Sequence, residues 1–357
     1  MKTKVLLVTH ELKSYRIPIF RKIVEKDSIE LTVAHSGNPS KDLDSSIKEV
    51  IIGLRKMRVF TYFEKPFIKL VNQYDVVVCT FYIMNLSFLK LALIPRRKFK
   101  LIYWGIGVRA SYNNPFDAPT PINQVRYMLA RKADAMIFYS DYARNKYINK
   151  GISAEKLFVM QNTVEVHKVS QSNPKRDKFL FVGSLYKSKK IFELLESYEK
   201  ARLQTNKIPQ LHIVGNGSEY DSVVEWIEKT SNQDNIILHG SIFDENLLSE
   251  LFQTSFACIS PGQAGLTVLK SFGYGVPFIT HKDAITGGER LNIIHNLNGI
   301  LYEKDEDLVE ILIDITDHPE RYVEMGINAK AFYHKERTPE IMAQGFIDAV
   351  NYTTISE

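Results

Sequence analysis

Short apolar runs and helix-length amphipathic stretches alternate along nearly the whole chain, and this alternation limits the possible folds more than any other feature. Val5–Val8, Leu31–Ala34, Val76–Cys79, Leu101–Trp104, Ala135–Tyr139 and Leu157–Met160 are β-branched or aromatic and mostly flanked by turn or charged residues, the pattern of buried strands. Segments such as Ile17–Lys26 and Ile122–Lys132 between them read as helices. A strand that is apolar on both faces must be covered on both. The alternation therefore predicts a parallel sheet with helices on each side.

The pattern stops and then restarts. Residues 166–178 are polar, with Ser170, Ser172, Asn173, Pro174, Lys175 and Arg176, and read as a linker. Beyond it, strands at Phe179–Val182, Leu211–Val214, Ile236–Leu238, Phe256–Ile259, Phe278–Thr280 and Gly299–Tyr302 alternate with helices at Phe192–Leu203, Glu219–Lys229, Asn246–Leu251 and Thr267–Tyr274. The expected architecture is α/β, with doubly wound domains over 1–165 and 179–335. A C-terminal helix over 336–357 is expected to pack back toward the first domain. At 357 residues there is chain enough for two cores. Doubly wound sheets bind ligands beyond the C-terminal ends of their strands, so the cleft between the domains is the expected site.

The net charge of +5 conceals an uneven distribution: residues 1–170 carry +14 and the remainder −9. One reading is an anionic partner for the first half; the other is two lobes with different solvated surfaces. Basic, apolar-interleaved segments at 54–60 and 95–100, with Lys65 and Lys69, suit an anionic bilayer surface. No RNA-binding motif or helix-turn-helix signature accompanies them, so nucleic acid is not an expected partner. The N-terminus enters a strand pattern at once, without the apolar core of a signal peptide. The most apolar window, Val76 to Pro95, contains Asn85 and Lys90 and reads as a buried strand plus helix, not a membrane span. Cys79 and Cys258 sit in apolar runs without any C-x-x-C spacing, which points to a reducing, cytoplasmic compartment.

Three segments carry candidate chemistry. Pro261-Gly262-Gln263-Ala264-Gly265-Leu266 follows a strand and opens a helix that stops at Gly273–Gly275. Its glycines permit close backbone approach, and free amides at the helix start suit a phosphate or sugar hydroxyl; an ordinary strand-to-helix turn is the equal alternative. Gly183-Ser184-Leu185, with Lys187, Lys189 and Lys190 following, suits diphosphate charge or is a solvated lysine cluster. Val214-Gly215-Asn216-Gly217 resembles a phosphate turn but holds only G-x-G. The chain has no P-loop and no complete G-x-G-x-x-G, which disfavours nicotinamide chemistry.

The order of these motifs resembles the donor domain of GT-B glycosyltransferases, specifically the retaining family 4 group (glycosyl transferases group 1). That group shows a strand ending in G-R-L with a lysine before a helix, a VGxG turn, a V-x-F-x-G strand, and a Pro-Ser or Pro-Gly loop before GL…E…G-x-P. The matching residues are Gly183-Ser184-Leu185 with Lys189, Val214 to Gly217, Ile236 to Gly240, and Pro261 to Pro277. Gln161-Asn162-Thr163 and Asn298 to Leu301 match further, and the likeness spans roughly residues 130–345. Nearer the N-terminus it rests on architecture and on Tyr103 to Gly107. The family's phosphate-binding arginine falls on Ser184, and its two glutamates fall on Gly262 and Lys270. A lysine cannot accept hydrogen bonds from two ribose hydroxyls. Glu289 is a substitute carboxylate, or else a surface capping residue.

The resemblance implies two Rossmann-like domains and transfer of a hexose-type sugar, with retention and without a metal, from a nucleotide diphosphate sugar. UDP- and GDP-linked donors are both compatible, and no cofactor is implied. The Asp42-Leu43-Asp44 triplet in the first domain is not expected to hold a metal. The implied donor site takes Gly183, Ser184, Lys189, Gly215, Gly217, Pro261, Gly262, Gln263, Ala264, Gly265, Leu266 and Lys270. His10, Lys189 and Glu289 are the candidate catalytic groups; Tyr15, Arg16, Trp104 and Arg109 are candidates for the acceptor. The implied acceptor is a glycan, or a polyprenyl-diphosphate-linked glycan at the inner face of the plasma membrane, in surface polysaccharide synthesis such as capsule or O-antigen. A non-catalytic GT-B partner subunit and a nucleotide-sugar 2-epimerase-like enzyme are the competing readings.

Overall fold

The computed structural model describes residues 2–64, 66–112, 114–167, 174–230 and 232–355. Residues 168–173 of the linker reading, and Lys65 of the basic stretch, lie outside the described residues. The chain divides into two compact units. One comprises Met1–Arg109, Asp117–Glu165 and Thr338–Glu357; the other Ala110–Phe116 and Val166–Arg337. Counted by unit instead of by sequence half, the charge is +10 and −5, because the N-terminal portion of the first unit ends at Glu165 and its last 20 residues carry three acids and no base.

The first unit is built on strands β1 (Thr3–Val8), β2 (Ile29–His35), β3 (Lys48–Ile51), β6 (Val76–Thr80), β7 (Lys100–Gly105), β8 (Ala135–Phe138) and β9 (Leu157–Val159). Among the described residues they form one parallel sheet in the order β3-β2-β1-β6-β7-β8-β9. Val5 to Val8 are buried on both faces, as a continuous apolar run requires. Helices α1 (Ile17–Val24), α2 (Phe67–Val71), α3 (Leu86–Leu93), α4 (Ile122–Lys132) and α5 (Asp141–Ile148) connect the strands. Sequence periodicity missed one feature here. Residues 54–60, read as a bilayer-facing basic segment, belong to an antiparallel hairpin of β4 (Leu54–Met57) and β5 (Phe60–Phe63). Cations interleaved with apolar residues, here Leu54-Arg55-Lys56-Met57-Arg58-Val59-Phe60, occur in an exposed ribbon as readily as in an interfacial segment.

The second unit carries β10 (Lys178–Val182), α6 (Ile191–Gln204), β11 (Gln210–Val214), α7 (Tyr220–Lys229), β12 (Ile236–Gly240), α8 (Glu245–Gln253), β13 (Ser255–Ile259), α9 (Thr267–Gly273), β14 (Phe278–His281), β15 (Gly299–Tyr302), α10 (Asp305–Asp317) and α11 (Pro319–Glu336). Its parallel sheet has the order β12-β11-β10-β13-β14-β15. One core lies among Phe179, Phe181, Leu194, Tyr198, Leu312 and Tyr322, and the other among Leu180, Val268, Phe272 and Tyr333, on opposite sheet faces because successive strand residues point opposite ways. The final helix, α12 (Pro339–Ile355), packs on the first unit: Met342, Phe346, Ile347 and Val350 join Ile19, Phe20 and Ile23 of α1 in one core.

Neighbouring strands β11 and β12 bring His212 Nδ1 within 3.0 Å of His239 Nε2. Burial, aided by the His239 ring and the Lys178 ammonium, pushes His212 down to about 4. A histidine that is harder to protonate when folded stabilises the fold above its ordinary value of 6.5, and that contribution is lost as pH falls from there toward 4. Urea unfolding at pH 7 and pH 4.5 should therefore show a larger loss for the wild type than for His212→Gln. Equal losses would contradict the assignment.

Candidate functional site

Each sheet reverses its strand order once. In the second unit the chain runs outward from β10 to β11 and β12, then returns to place β13 on the other side of β10. The loops after β10 and β13 part there, leaving a crevice at their carboxyl ends, the position where doubly wound sheets bind ligands. The loop after β10 is Gly183 to Lys190, and the loop after β13 is Ser260 to Leu266. The two segments singled out by sequence are thus neighbours.

Backbone contact joins them. The Gly262 N–H donates to the Lys189 carbonyl at 3.1 Å, and a Cβ on Gly262 would lie 2.2 Å from the Ser188 carbonyl oxygen. The β11 turn closes on the same loop: Gly183 N–H donates to the Val214 carbonyl, Leu185 N–H to the Asn216 carbonyl, and a Cβ on Gly217 would fall 2.3 Å from the Leu185 carbonyl oxygen. Only residues without side chains allow three loops to meet this closely.

Lys189 ends a short 3-10 turn and folds back over this junction. A side chain on Gly183 would begin 3.2 Å from its Nζ. Lys189 is only 8 % exposed, and among the described residues no carboxylate pairs with it. Burial lowers its pKa, and the neighbouring Cys258 thiol, itself pushed up to about 12 by burial, is neutral and offers no counter-charge. Ser184 beside it is exposed. Pro261 and Ala264 are buried, while Gln263, Gly265 and Leu266 are half-buried.

Three expected site residues are otherwise occupied. The Ala264 N–H donates to the Ile285 carbonyl at 2.9 Å, so the amides left to open α9 are those of Gly265 and Leu266. Lys270 Nζ lies 2.7 Å from both carboxylate oxygens of Glu245 in the first turn of α8, so Lys270 holds a carboxylate instead of presenting a free ammonium. Glu289 accepts from the Gly287 N–H at 2.9 Å and from the Thr286 hydroxyl at 3.3 Å; its carboxylate braces its own turn, beside the β14 end of the same sheet edge.

In the first unit the reversal falls between β1 and β6. His10 follows β1, and Asn85 caps α3 after β6. Asn85 Oδ1 accepts from the Ser87 and Phe88 amides at 3.0 and 3.3 Å, so its NH2 group is the one facing His10 Nε2 at 2.9 Å. His10 Nε2 must then accept, which places the ring proton on Nδ1. The Thr61 hydroxyl lies 3.2 Å from Nε2, and Phe63, Tyr82 and Phe88 surround the ring. Burial lowers the His10 pKa, so the ring is neutral at pH 7.

Arg16 sits in an aromatic cradle. Its guanidinium carbon is 4.2 Å from the Trp104 ring centroid, 5.3 Å from Tyr15 and 5.6 Å from Tyr139, and it donates to the Tyr139 hydroxyl at 2.5 Å. Trp104 itself is 1 % exposed. As a strand residue of β7 facing the core it supports Arg16 and is not open to an acceptor, which corrects the sequence expectation. Arg109 is half-buried in the segment after the carboxyl end of β7. Arg97 pairs with Asp134 at 2.8 Å. With Arg96 and Lys98 it precedes β7, at the amino ends of the strands, so residues 95–100 lie at the sheet edge opposite His10. Among the described residues no group of three or more His, Cys, Asp or Glu could hold a metal ion, and no helix is long and apolar enough to cross a membrane.

The fold is that of the GT-B class, mixed α/β with parallel sheets. The structure aligns with HepE of Anabaena in complex with UDP over 98 % of this chain and 100 % of that one, with a TM-score of 0.72 and 16 % identity. TarM aligns over 98 % and 99 % with the same TM-score and 14 % identity. Residues 162–332 match the family model described as Glycosyl transferases group 1. In sequence the chain is similar to the lipopolysaccharide 1,6-galactosyltransferase of Salmonella typhimurium, 27 % identical over 188 residues, which are 48 % of this chain and 51 % of that protein. The chain thus spans about half the length of the curated relative it matches.

Glu245, Asn85 and Tyr139 escaped the sequence reading. Each acts through a partner distant in the chain, and only a lysine standing where an acid is usual, Lys270, hinted at the first. The Asn85 contact generates a test. In Asn85→Asp a carboxylate oxygen should replace the amide donor, raising the His10 pKa above 6.5 in an NMR titration. An unchanged His10 titration would contradict the assigned contact.

Proposed function

We propose that this protein is a glycosyltransferase that moves a hexose-type sugar, with retention and without a metal, from a UDP- or GDP-linked donor to a glycan or lipid-linked glycan in surface polysaccharide synthesis. The observation that carries the reading is Lys189: a buried ammonium without a counter-ion, folded over glycine turns at a sheet reversal. Leaving a charge buried and unpaired is costly, and a bound diphosphate removes that cost. The group 1 match over this unit, HepE's complex with UDP and the galactosyltransferase relative support the same reading.

In this proposal the diphosphate lies over Lys189 and the Gly183 turn, with the Gly265 and Leu266 amides turned to it. As the sugar–oxygen bond breaks, negative charge grows on the leaving phosphate, and these fixed donors stabilise it. Glu245, oriented by Lys270, supplies the ribose with the acceptor oxygens that lysine lacks. The first unit takes the acceptor. Neutral His10 offers its Nδ1–H as a hydrogen-bond donor, and its Nε2 is engaged by Asn85, so it orients a hydroxyl and removes no proton through Nε2. The proton leaves with the departing phosphate.

Gly262 and Lys270 also support a second reading, a non-catalytic partner subunit. The two differ in turnover. With a panel of nucleotide sugars and the cell's own acceptor extract, the enzyme reading expects product, a fall in kcat/KM of about 100-fold or more in Lys189→Ala, and about tenfold weaker nucleotide binding in Glu245→Gln. Nucleotide binding without turnover would favour the partner reading, and neither binding nor turnover would refute both.

A further inference from the structure

Beside His10 lies a groove that the donor chemistry does not use. It has a volume of about 600 Å³, is lined by Phe63, Phe67, Ile68 and Leu86, and carries Lys69 and Lys90 on its wall. That size suits a small-molecule site. A glycan needs mainly polar walls; Tyr62, Asn72 and Ser87 also line this groove, the Ser87 hydroxyl already accepting from the Phe63 N–H, but most of its surface is hydrocarbon. Glu64, which also borders the groove, is already matched by Arg55, whose Nε donates to it at 2.5 Å. Lys69 and Lys90 are exposed, and among the described residues no carboxylate pairs with either. The groove is therefore apolar within and net positive at its edge. It is continuous with the candidate acceptor site: the Phe63 ring packs against Phe67, 5.2 Å away, on one side and stacks with His10 at 5.9 Å on the other.

We propose that this groove holds the hydrocarbon chain of an amphiphilic, phosphate-bearing acceptor, with Lys69 and Lys90 on the phosphate and the sugar end reaching His10. The inference rests on the reading that the first unit takes the acceptor, and it selects lipid-linked over soluble glycans. Charge complementarity and the shared Phe63 wall identify the occupant as a single amphiphile.

The test is calorimetric binding of farnesyl diphosphate to the full chain below its critical micelle concentration, with inorganic diphosphate and farnesol as half-ligands and UDP as a control for the donor site. Farnesyl diphosphate should bind at least 100-fold tighter than either half-ligand. Ile68→Asp should weaken it at least tenfold, because a carboxylate then lines the chain's path. Lys69→Gln/Lys90→Gln, a surface change that keeps the fold, should weaken it at least tenfold and flatten its salt dependence. UDP binding should change less than twofold in both variants. Farnesyl diphosphate binding no tighter than inorganic diphosphate, or unaffected by both variants, overturns the proposal. So does binding to phosphatidylcholine/phosphatidylglycerol vesicles without binding to the soluble probe, since the face would then dock on a bilayer. Failure of UDP to bind while farnesyl diphosphate binds would refute the donor reading alone.

Discussion

A lysine ammonium held almost out of solvent, without a carboxylate to neutralise it, is an expensive thing for a fold to keep. Lys189 is so held because three glycine-bearing loops close around it: Gly183 beneath its Nζ, Gly217 against the Leu185 carbonyl, and Gly262 against the Ser188 carbonyl. The two loops that flank it come from β10 and β13, the strands between which the sheet reverses its order. Topology brings the loops together, the missing side chains let them touch, and the contact holds the charge in place. In the proposed function, the energy that burial takes from the free protein would return as affinity for a multiply charged anion.

The first unit solves a related problem with neutral groups. The β1 and β6 loops part at its own sheet reversal, and Asn85 bridges them. By capping α3 with its oxygen and meeting His10 with its amide, it fixes one tautomer of a ring that burial keeps uncharged. Arg16 is immobilised likewise, stacked on a core tryptophan. Both residues are left with hydrogen-bond donors, which in the proposed function would suit orientation of an acceptor while charge develops on the leaving group.

The strands of both sheets were legible in the sequence because a strand buried on two faces is written as a short continuous apolar run, whatever surrounds it. The glycine motifs were legible for a related reason: their spacing follows strand ends. What escaped was set by tertiary partners. The β4–β5 hairpin mixes cations with apolar residues through its first strand and turn and so mimics an interfacial segment. Trp104 stands near a strand's carboxyl end like a site residue, but it is still within β7 and points into the core. Lys270 reads as a lost function until Glu245, 25 residues away, supplies the carboxylate it holds. Glu289 reads as a spare acid until its turn is seen to use it. Charge summed along the sequence misled in the same manner: the last 20 residues, with three acids and no base, belong to the basic unit, and the unit as a whole carries +10 where the first 170 residues carry +14.

The central claim is that Lys189 and the glycine turns around it are a diphosphate site. A crystal structure of the protein with UDP tests it most directly. The account predicts diphosphate oxygens within hydrogen-bond distance of Lys189 Nζ and of the Gly265 or Leu266 amide, with the ribose hydroxyls facing Glu245. A nucleotide bound elsewhere on the second unit, with Lys189 still buried and untouched, would contradict it.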